Sequence, residues 1–134
     1  MISLMLLGCM LTKVPEDLRA EFCRVTWAWF PYHAQVKEVK WCEEGEWVCE
    51  MVAPGGGGYD FNSSTITIAR GFPWPVRDGV FLTLAHEYGH ALGLGHAQLP
   101  PSIMLSGWAG PLAPGPTEAD KEELKKLLDK SDER

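Results

Sequence analysis

One stretch of eleven residues, HEYGHALGLGH at positions 86–96, constrains this chain more than any other. Its first two histidines, His86 and His90, are four residues apart, so a helix places them on one face, one turn apart. Gly93 can adopt the positive φ that ends a helix, and the chain can then turn back to bring His96 towards the other two rings. The stretch therefore predicts a helix, a glycine turn and three converging imidazoles.

Three converging imidazoles predict a metal site of a particular kind. Three histidine ligands leave one position of a tetrahedral zinc open for water, which is typical of a catalytic site rather than a structural one. We expect His86, His90 and His96 to hold one catalytic Zn²⁺ whose activated water attacks a carbonyl. Glu87 follows the first ligand, where its carboxylate can serve as general base and then pass the proton to the leaving amine. His33 lies outside the motif and is assigned no role.

Length and charge limit the architecture and the partners. The 134 residues fit one domain over 1–134. The formal net charge of −6 disfavours nucleic acid and anionic membranes as partners, because both reward basic patches. No apolar run approaches the length of a membrane span.

The N-terminal segment and the cysteines leave alternatives open. Residues 1–12 are apolar and are either a lipoprotein-like secretion signal or a buried first strand, and the lack of a basic residue in them favours the strand. Cys42 and Cys49 flank a Glu-Gly step, where a hairpin could bring them together as a disulfide. Buried free thiols are the alternative. The state of Cys9 and Cys23 is open in the same way.

Periodicity predicts the elements before the histidine motif. Pro15 to Trp29 repeats apolar residues at helical spacing and predicts a helix. Alternation predicts strands over Val36–Trp41 and Trp47–Val52, and β-branched residues predict another over Thr65–Ile68. Pro54–Gly58 has the composition of a flexible loop.

Capping signals predict two further helices. The helix that carries the histidines should run from an N-cap at Asp78 to about Leu92. A last helix should begin at Thr117, with Asp120 three positions on in a box-like arrangement. The apolar stripe of that last helix is expected to be Leu124, Leu127 and Leu128.

The histidine motif resembles the HExxHxxGxxH zinc signature of the metzincin clan of endopeptidases. The tripeptide Ser-Ile-Met that ends at Met104, eight residues beyond His96, resembles the SxM turn of the matrixin branch, in which a methionine lies beneath the zinc. Residues 117–128 are similar to the C-terminal helix of that branch. The resemblance spans residues 47–128 and is clearest over 84–104 and in the last helix.

The resemblance implies an α+β, zincin-like fold with a mixed twisted sheet, an antiparallel edge strand, an active-site helix, a methionine turn and a C-terminal helix. It implies a zinc endopeptidase that acts on peptides or proteins, and we expect a secreted or extracellular monomer, although no clear signal peptide precedes the domain. It also implies that Asp120 binds backbone N–H groups near Met104. A simple capping role or a solvated carboxylate is the alternative for Asp120.

The resemblance extends to the substrate. Peptides commonly bind such clefts in extended form, adding a strand to a sheet edge. The first candidate for that edge is Trp47–Val52 and the second is Gly58–Asn62. Leu105–Pro111 should form the wall of the pocket for the residue after the scissile bond, with Trp108 and Gly107 as candidate pocket residues. Packing of Trp108 on the last helix is the alternative.

The sequence also departs from the family pattern. It contains no cysteine-switch motif and no extra histidines before the active-site helix, so we expect neither that latency device nor a second, structural zinc. Structural calcium has no recognisable acidic loop, and Asp60 and Asp78 are weak candidates. Two rival functions remain: a catalytically silent zinc module that binds peptides, which the intact Glu87 disfavours, and a zinc hydrolase for a non-peptide bond.

Overall fold

The computed structural model describes residue 9 and residues 11–43, 45–52, 55–97, 102–105 and 113–132. Among these residues no helix is long and apolar enough to cross a membrane. The helices and strands follow one another as α1 (Glu16–Ala28), β1 (Glu38–Cys42), α2 (Trp47–Val52), β2 (Gly57–Asp60), β3 (Thr65–Ala69), α3 (Gly79–Leu92) and α4 (Glu118–Asp132).

The strands form a small mixed sheet in the order β1-β3-β2. Strand β3 runs parallel to β1, with Val39 opposite Ile66, and antiparallel to β2, with Tyr59 opposite Ile66. All five residues of β3 are buried, as expected for a central strand rich in β-branched residues. In the part of the chain that the structure describes, β2 has no second partner strand and is an antiparallel edge strand, and the elements form an α+β fold.

Helix α3 lies in the hydrophobic core, where α1 packs against it. The apolar face of α1 is buried at Leu18, Phe22 and Val25. The ring of Phe22 meets that of Tyr88 edge-on, with centroids 6.1 Å apart. The hydroxyl of Tyr88 accepts a hydrogen bond from the N–H of Ala34 at 2.9 Å, so the chain that follows α1 is also bound to α3.

Several predicted elements are confirmed. Helix α1 lies within the predicted Pro15–Trp29, and β3 matches the predicted strand with one extra residue. Helix α3 begins and ends close to the expected positions, and α4 begins directly after the expected cap at Thr117. The strand predicted over Val36–Trp41 is observed as β1, which begins two residues later and ends one residue later.

The strand predicted over Trp47–Val52 is wrong, because this segment is helix α2. Six residues are too few to distinguish alternation from a short helix, and the contacts before the segment decide the matter. The N–H of Cys49 donates to the carbonyl of Glu46 at 3.0 Å, and the N–H of Glu43 donates to the Glu46 side chain at 3.0 Å. The first candidate for the substrate edge is therefore excluded, whereas the second, Gly58–Asn62, overlaps β2.

The loop predicted over Pro54–Gly58 is also partly wrong, because β2 begins at Gly57. Glycine is required here by close packing. A Cβ at Gly57 would lie 2.7 Å from the Cγ2 atom of Thr83 and 2.9 Å from the carbonyl oxygen of Thr67. The glycine run therefore lets a strand approach α3 closely, which composition alone does not reveal.

Two details of the later helices differ from expectation. Asp78 occupies the N-cap position of α3, but it has a φ of 58° and its side chain makes no capping hydrogen bond. In α4 only Leu124 of the predicted stripe is buried, whereas Leu127 and Leu128 are 39% and 45% exposed. The buried apolar stripe expected on α4 therefore consists of Leu124 alone.

The cysteines form two disulfides, Cys9–Cys23 and Cys42–Cys49, each with Cα atoms 5.3 Å apart. The alternative of free thiols is therefore wrong. The second bridge joins the end of β1 to α2 rather than closing a hairpin. Residues 1–8 and 10 lie outside the described residues, so the choice between a signal and a first strand stays a prediction.

Candidate active site

Helix α3 carries the first two histidines of the motif and ends where the third must leave it. Gly93 has a φ of 113°, in the left-handed region that favours glycine. Its N–H donates to the carbonyl of His90 at 3.0 Å, and the N–H of Leu94 donates to the carbonyl of Gly89 at 3.0 Å. These two bonds define a Schellman motif, so the predicted turn at Gly93 is confirmed.

Backbone carbonyls orient the rings of His86 and His90. The Nδ1 atom of His86 lies 2.8 Å from the carbonyl oxygen of Ile103, and that of His90 lies 2.8 Å from the carbonyl oxygen of Leu94. Because a carbonyl oxygen only accepts, each Nδ1 carries the proton and each Nε2 keeps a lone pair. The two Nε2 atoms face each other at 3.1 Å. Two lone pairs so placed repel, and a cation between them would remove the repulsion.

The third imidazole completes a donor set that fits zinc. The ring centroid of His96 lies 5.3 Å from that of His86 and 4.9 Å from that of His90. One nitrogen from each ring lies within 4.8 Å of the others, and the described residues contain no second such group of His, Cys, Asp or Glu. Ligands about 2.0–2.1 Å from a tetrahedral ion are themselves about 3.3 Å apart, so a small movement of the exposed His96 would suffice.

Burial shifts the protonation equilibria of the site in useful directions. It lowers the pKa of His86 to about 4 and also lowers the pKa of His90, so both rings are neutral at neutral pH, the form that binds zinc. Burial raises the pKa of the Glu87 carboxyl to about 7. A carboxyl group with such a pKa can both accept and donate a proton, as general acid–base catalysis requires.

One side of the site, which we call the floor, consists of Ser102 to Met104 and Asp120. The Asp120 carboxylate accepts hydrogen bonds from the Ser102 hydroxyl, from the Ile103 N–H at 3.1 Å and from the Thr117 N–H at 2.9 Å. The Met104 N–H donates to the Ser102 hydroxyl at 2.9 Å. The predicted tie between Asp120 and backbone N–H groups near Met104 is confirmed.

The floor reaches the first histidine through a single residue, Ile103. The N–H of Ile103 donates to Asp120, and its carbonyl accepts the Nδ1–H of His86. Asp120 is 5% exposed, so little solvent competes for its hydrogen bonds. A carboxylate in this position fixes the orientation of the ring whose Nε2 faces the candidate metal position.

Met104 packs directly against the backbone of α3. It is buried, and a Cβ at Gly89 would overlap its sulfur atom, so the glycine allows the contact. The same helix is bound from the α1 side by Trp29, whose Nε1–H donates to the carbonyl of Ala85 at 3.0 Å. The histidine-bearing part of α3 is thus supported from two directions.

Some predicted site residues cannot be placed. Gly107 and Trp108 lie outside the described residues, so the pocket wall stays a prediction. The calcium candidates show no shared site: the Asp60 carboxylate accepts the N–H of Asn62 at 2.8 Å, and Asp78 is exposed before α3. His33 is exposed.

One residue near the site was not anticipated. The Nε1–H of Trp74 donates to the Thr83 hydroxyl at 2.9 Å, which ties the loop before α3 to the helix itself. The prolines on both sides of Trp74 predict only a break in regular structure, and no local pattern indicates which helix the indole contacts.

Comparison with known families gives one match. The matrixin family model of peptidases matches residues 25–127. The match begins well before residue 47, where the resemblance seen in the motifs begins, and it covers the whole sheet, helix α3 and the three histidines. No curated protein matches the chain. Since the family model covers well over half of the sequence, the chain belongs to the matrixin family of metallopeptidases.

Proposed function

We propose that this matrixin is a zinc-dependent endopeptidase of the metzincin type, with His86, His90 and His96 as the zinc ligands. The observation that carries the proposal is the pair of Nε2 atoms 3.1 Å apart, both in rings whose Nδ1–H is bound to a carbonyl oxygen. Among the described residues no fourth His, Cys, Asp or Glu joins this group, and a site with three protein ligands is typical of catalytic zinc.

Glu87 is the proposed general base and general acid. When bound, zinc polarises the scissile carbonyl and lowers the pKa of water. The Glu87 carboxylate accepts the proton of the attacking water and then donates it to the amine nitrogen of the departing fragment. Burial raises the pKa of the Glu87 carboxyl, which makes its carboxylate a stronger base towards the attacking water.

Met104 is the proposed methionine of the turn beneath the metal. Its burial, its contact with α3 at Gly89 and the hydrogen bonds of Ser102 and Ile103 to Asp120 support this assignment. The side chain offers a polarisable apolar surface and no charge, so its contribution is packing beneath the histidines.

The substrate is proposed to lie in extended form along β2. This strand pairs with β3 on one side and has no partner strand on the other among the described residues, so its outer backbone groups can bind a peptide. Trp108 and Gly107 remain the candidates for the pocket after the scissile bond, and a changed cleavage preference in Trp108→Ala would support them.

We propose a secreted or extracellular location and a monomeric state. Two disulfides in a chain of this size are typical of an oxidising compartment, and matrixins typically act outside cells.

The decisive experiment combines metal analysis with peptide cleavage. His90→Ala should lose most of the zinc, whereas His33→Ala, a change at an exposed histidine outside the motif, should keep one equivalent. Glu87→Ala should keep the zinc and lose about 10²–10⁴-fold in hydrolysis of a peptide library. Full zinc content in His90→Ala would contradict the ligand assignment.

The same experiment separates the rival functions. A zinc-loaded wild type that binds peptides without cleaving them would indicate a silent binding module. Hydrolysis of esters or other non-peptide bonds, with every peptide of the library intact, would indicate a different zinc hydrolase. Near-normal turnover in Glu87→Ala would contradict the proposed acid–base role.

A further inference from the structure

Strand β2 is attached to the active-site helix by a cluster of residues that lie outside the histidine motif, the methionine turn and the last helix. We call it the clamp, and it consists of Gly56, Gly57, Trp74, Gly79 and Thr83. Its members come from the start of β2 and the residue before it, from the loop before α3 and from the first turns of α3.

Trp74 is the centre of the clamp because it contacts both partners. A Cβ at Gly79, the first residue of α3, would overlap the Trp74 side chain. A Cβ at Gly56 would lie 3.0 Å from the Trp74 Nε1 atom. The indole therefore lies against two backbone segments that only glycine lets come so close.

Thr83 joins the same two partners through different atoms. Its hydroxyl accepts the Trp74 Nε1–H at 2.9 Å and donates to the carbonyl of Gly79 at 2.7 Å. Its methyl carbon lies beneath Gly57, where a Cβ would be 2.7 Å away. The side chain is 3% exposed, so the hydroxyl and the methyl group are both held without competing water.

The position of Thr83 on α3 connects the clamp to catalysis. Thr83 precedes Glu87 by four residues, so the two side chains lie on one face of the helix, one turn apart. The first residue of β2 therefore lies on the helix one turn before the proposed general base.

We propose that Trp74 and Thr83 are positioning residues, which set the distance between β2 and α3. An extended substrate bound along β2 is thereby placed against Glu87. The inference rests on the proposed function, since it gives the edge strand a peptide to hold. A misplacement of about 1 Å in a bound substrate can reduce the rate by about 10²-fold, so the spacing between strand and helix matters to the reaction.

Two substitutions at Thr83 separate the two contacts. Thr83→Val keeps the methyl group beneath Gly57 and removes the hydroxyl that binds Trp74. Thr83→Ser keeps the hydroxyl and removes the methyl group. The matched control is Thr26→Val in α1, because Thr26 is also buried and its hydroxyl also donates to a backbone carbonyl one turn back, that of Cys23 at 2.8 Å.

The measurements are made on zinc-loaded protein at a temperature where every variant is folded. We expect Thr83→Val to lower kcat/KM by about tenfold for a peptide long enough to lie along β2, and by less than about twofold for a short peptide confined to the scissile bond. Thr83→Ser should lie between this variant and the wild type, and Trp74→Phe should behave like Thr83→Val. Thr26→Val should match the wild type on both peptides.

Hydrogen exchange gives a readout that does not need hydrolysis. The amides of β2 should exchange faster in Thr83→Val than in the wild type, and Thr26→Val should leave them unchanged. Equal losses on long and short peptides, or unchanged exchange in β2, would overturn the inference. If the wild type cleaves no peptide at all, the proposed function fails, and exchange in β2 still decides whether the clamp holds the strand.

Discussion

The two sides of helix α3 are held by different physical means. The floor uses hydrogen bonds, because the buried carboxylate of Asp120 accepts from Ser102, Ile103 and Thr117. The clamp uses close packing, because glycine backbone lies against Trp74 and Thr83 with a single indole hydrogen bond. The floor reaches the proposed zinc ligand His86, whereas the clamp reaches the strand proposed to hold the substrate.

This difference determines how each side can fail. The floor is weakened when an acceptor atom is removed, because a buried donor then loses its hydrogen bond and forms none with water in exchange. The clamp is weakened not only by loss of the Thr83 hydroxyl but also by an added atom, since its tightly packed backbone has no space for a methyl group. Substitutions that remove a carboxylate and substitutions that insert a Cβ should therefore affect metal binding and substrate binding separately.

Asp120→Ala should have the largest effect and should act on the metal. It leaves two buried donors and one partly buried donor without an acceptor, so we expect a loss of about 3–5 kcal/mol in the free energy of unfolding. Because Ile103 would no longer be held at its N–H, zinc affinity should fall by about 10–100-fold. Denaturant unfolding and a competitive zinc titration measure the two effects.

The control for that change lies on the same helix. Asp129 is exposed in α4, and Asp129→Ala should alter stability by less than about 0.5 kcal/mol and leave zinc affinity unchanged. Wild-type zinc affinity in Asp120→Ala would show that the floor does not orient His86.

Substitutions at two glycines of α3 allow a direct comparison of the clamp with the floor. Gly79→Ala inserts a methyl group against the Trp74 side chain, which is held by its hydrogen bond to Thr83, and should cost about 1–3 kcal/mol. Gly89→Ala meets the flexible end of Met104, which can move, and its Cβ lies 3.1 Å from the Cζ2 atom of Trp29, where a small shift suffices. The higher helix propensity of alanine, about 1 kcal/mol, offsets part of the clash. Thermal unfolding of both variants measures the difference, and a larger loss in Gly89→Ala would contradict this account of the two sides.

The fold and the site differ in how far the sequence alone predicts them. The three histidines, Gly93 and the pair of Thr117 and Asp120 were predicted because short-range spacing determines what they do. The proposed metal ligands and the floor therefore follow from motifs. The partner that Asp120 binds, however, was expected from the family resemblance and not from spacing.

The clamp could not be predicted in this way. Trp74 lies in a proline-rich loop, and its contacts with Gly56 and Gly79 arise only when three separate segments meet. The same limit explains the wrong strand prediction over Trp47–Val52, because six residues fit the period of a strand as well as that of a helix. A disulfide and two hydrogen bonds around Glu46 accompany the helix that is observed. Tertiary contacts determine the secondary structure of such segments, and a local sequence pattern gives no information about those contacts.

Thr117→Ala tests whether the floor depends on the cap of α4. The Thr117 hydroxyl accepts the N–H of Asp120 at 3.1 Å, and the Thr117 N–H donates back to the Asp120 carboxylate at 2.9 Å. Loss of the hydroxyl should cost about 1 kcal/mol, and Thr117→Ser should restore it. Zinc affinity should stay within about twofold of the wild type, because Asp120 keeps its bonds to the floor. A tenfold loss of affinity would show that cap and floor act as one unit.

The smallest effect is expected at the outer end of α4. Leu128 is 45% exposed, so Leu128→Gln should change the free energy of unfolding by less than about 0.5 kcal/mol. Leu124 is 1% exposed, and Leu124→Ala should cost about 2–5 kcal/mol through the cavity it leaves. The two leucines differ because only the first half of α4 supports the floor. Its first turn supplies Asp120 and Leu124 packs in the core, whereas the later turns contribute little to stability. Urea unfolding of the two variants side by side measures the difference. A loss above about 1 kcal/mol in Leu128→Gln would mean that the full apolar stripe is covered in solution, and that the floor is supported along the whole helix.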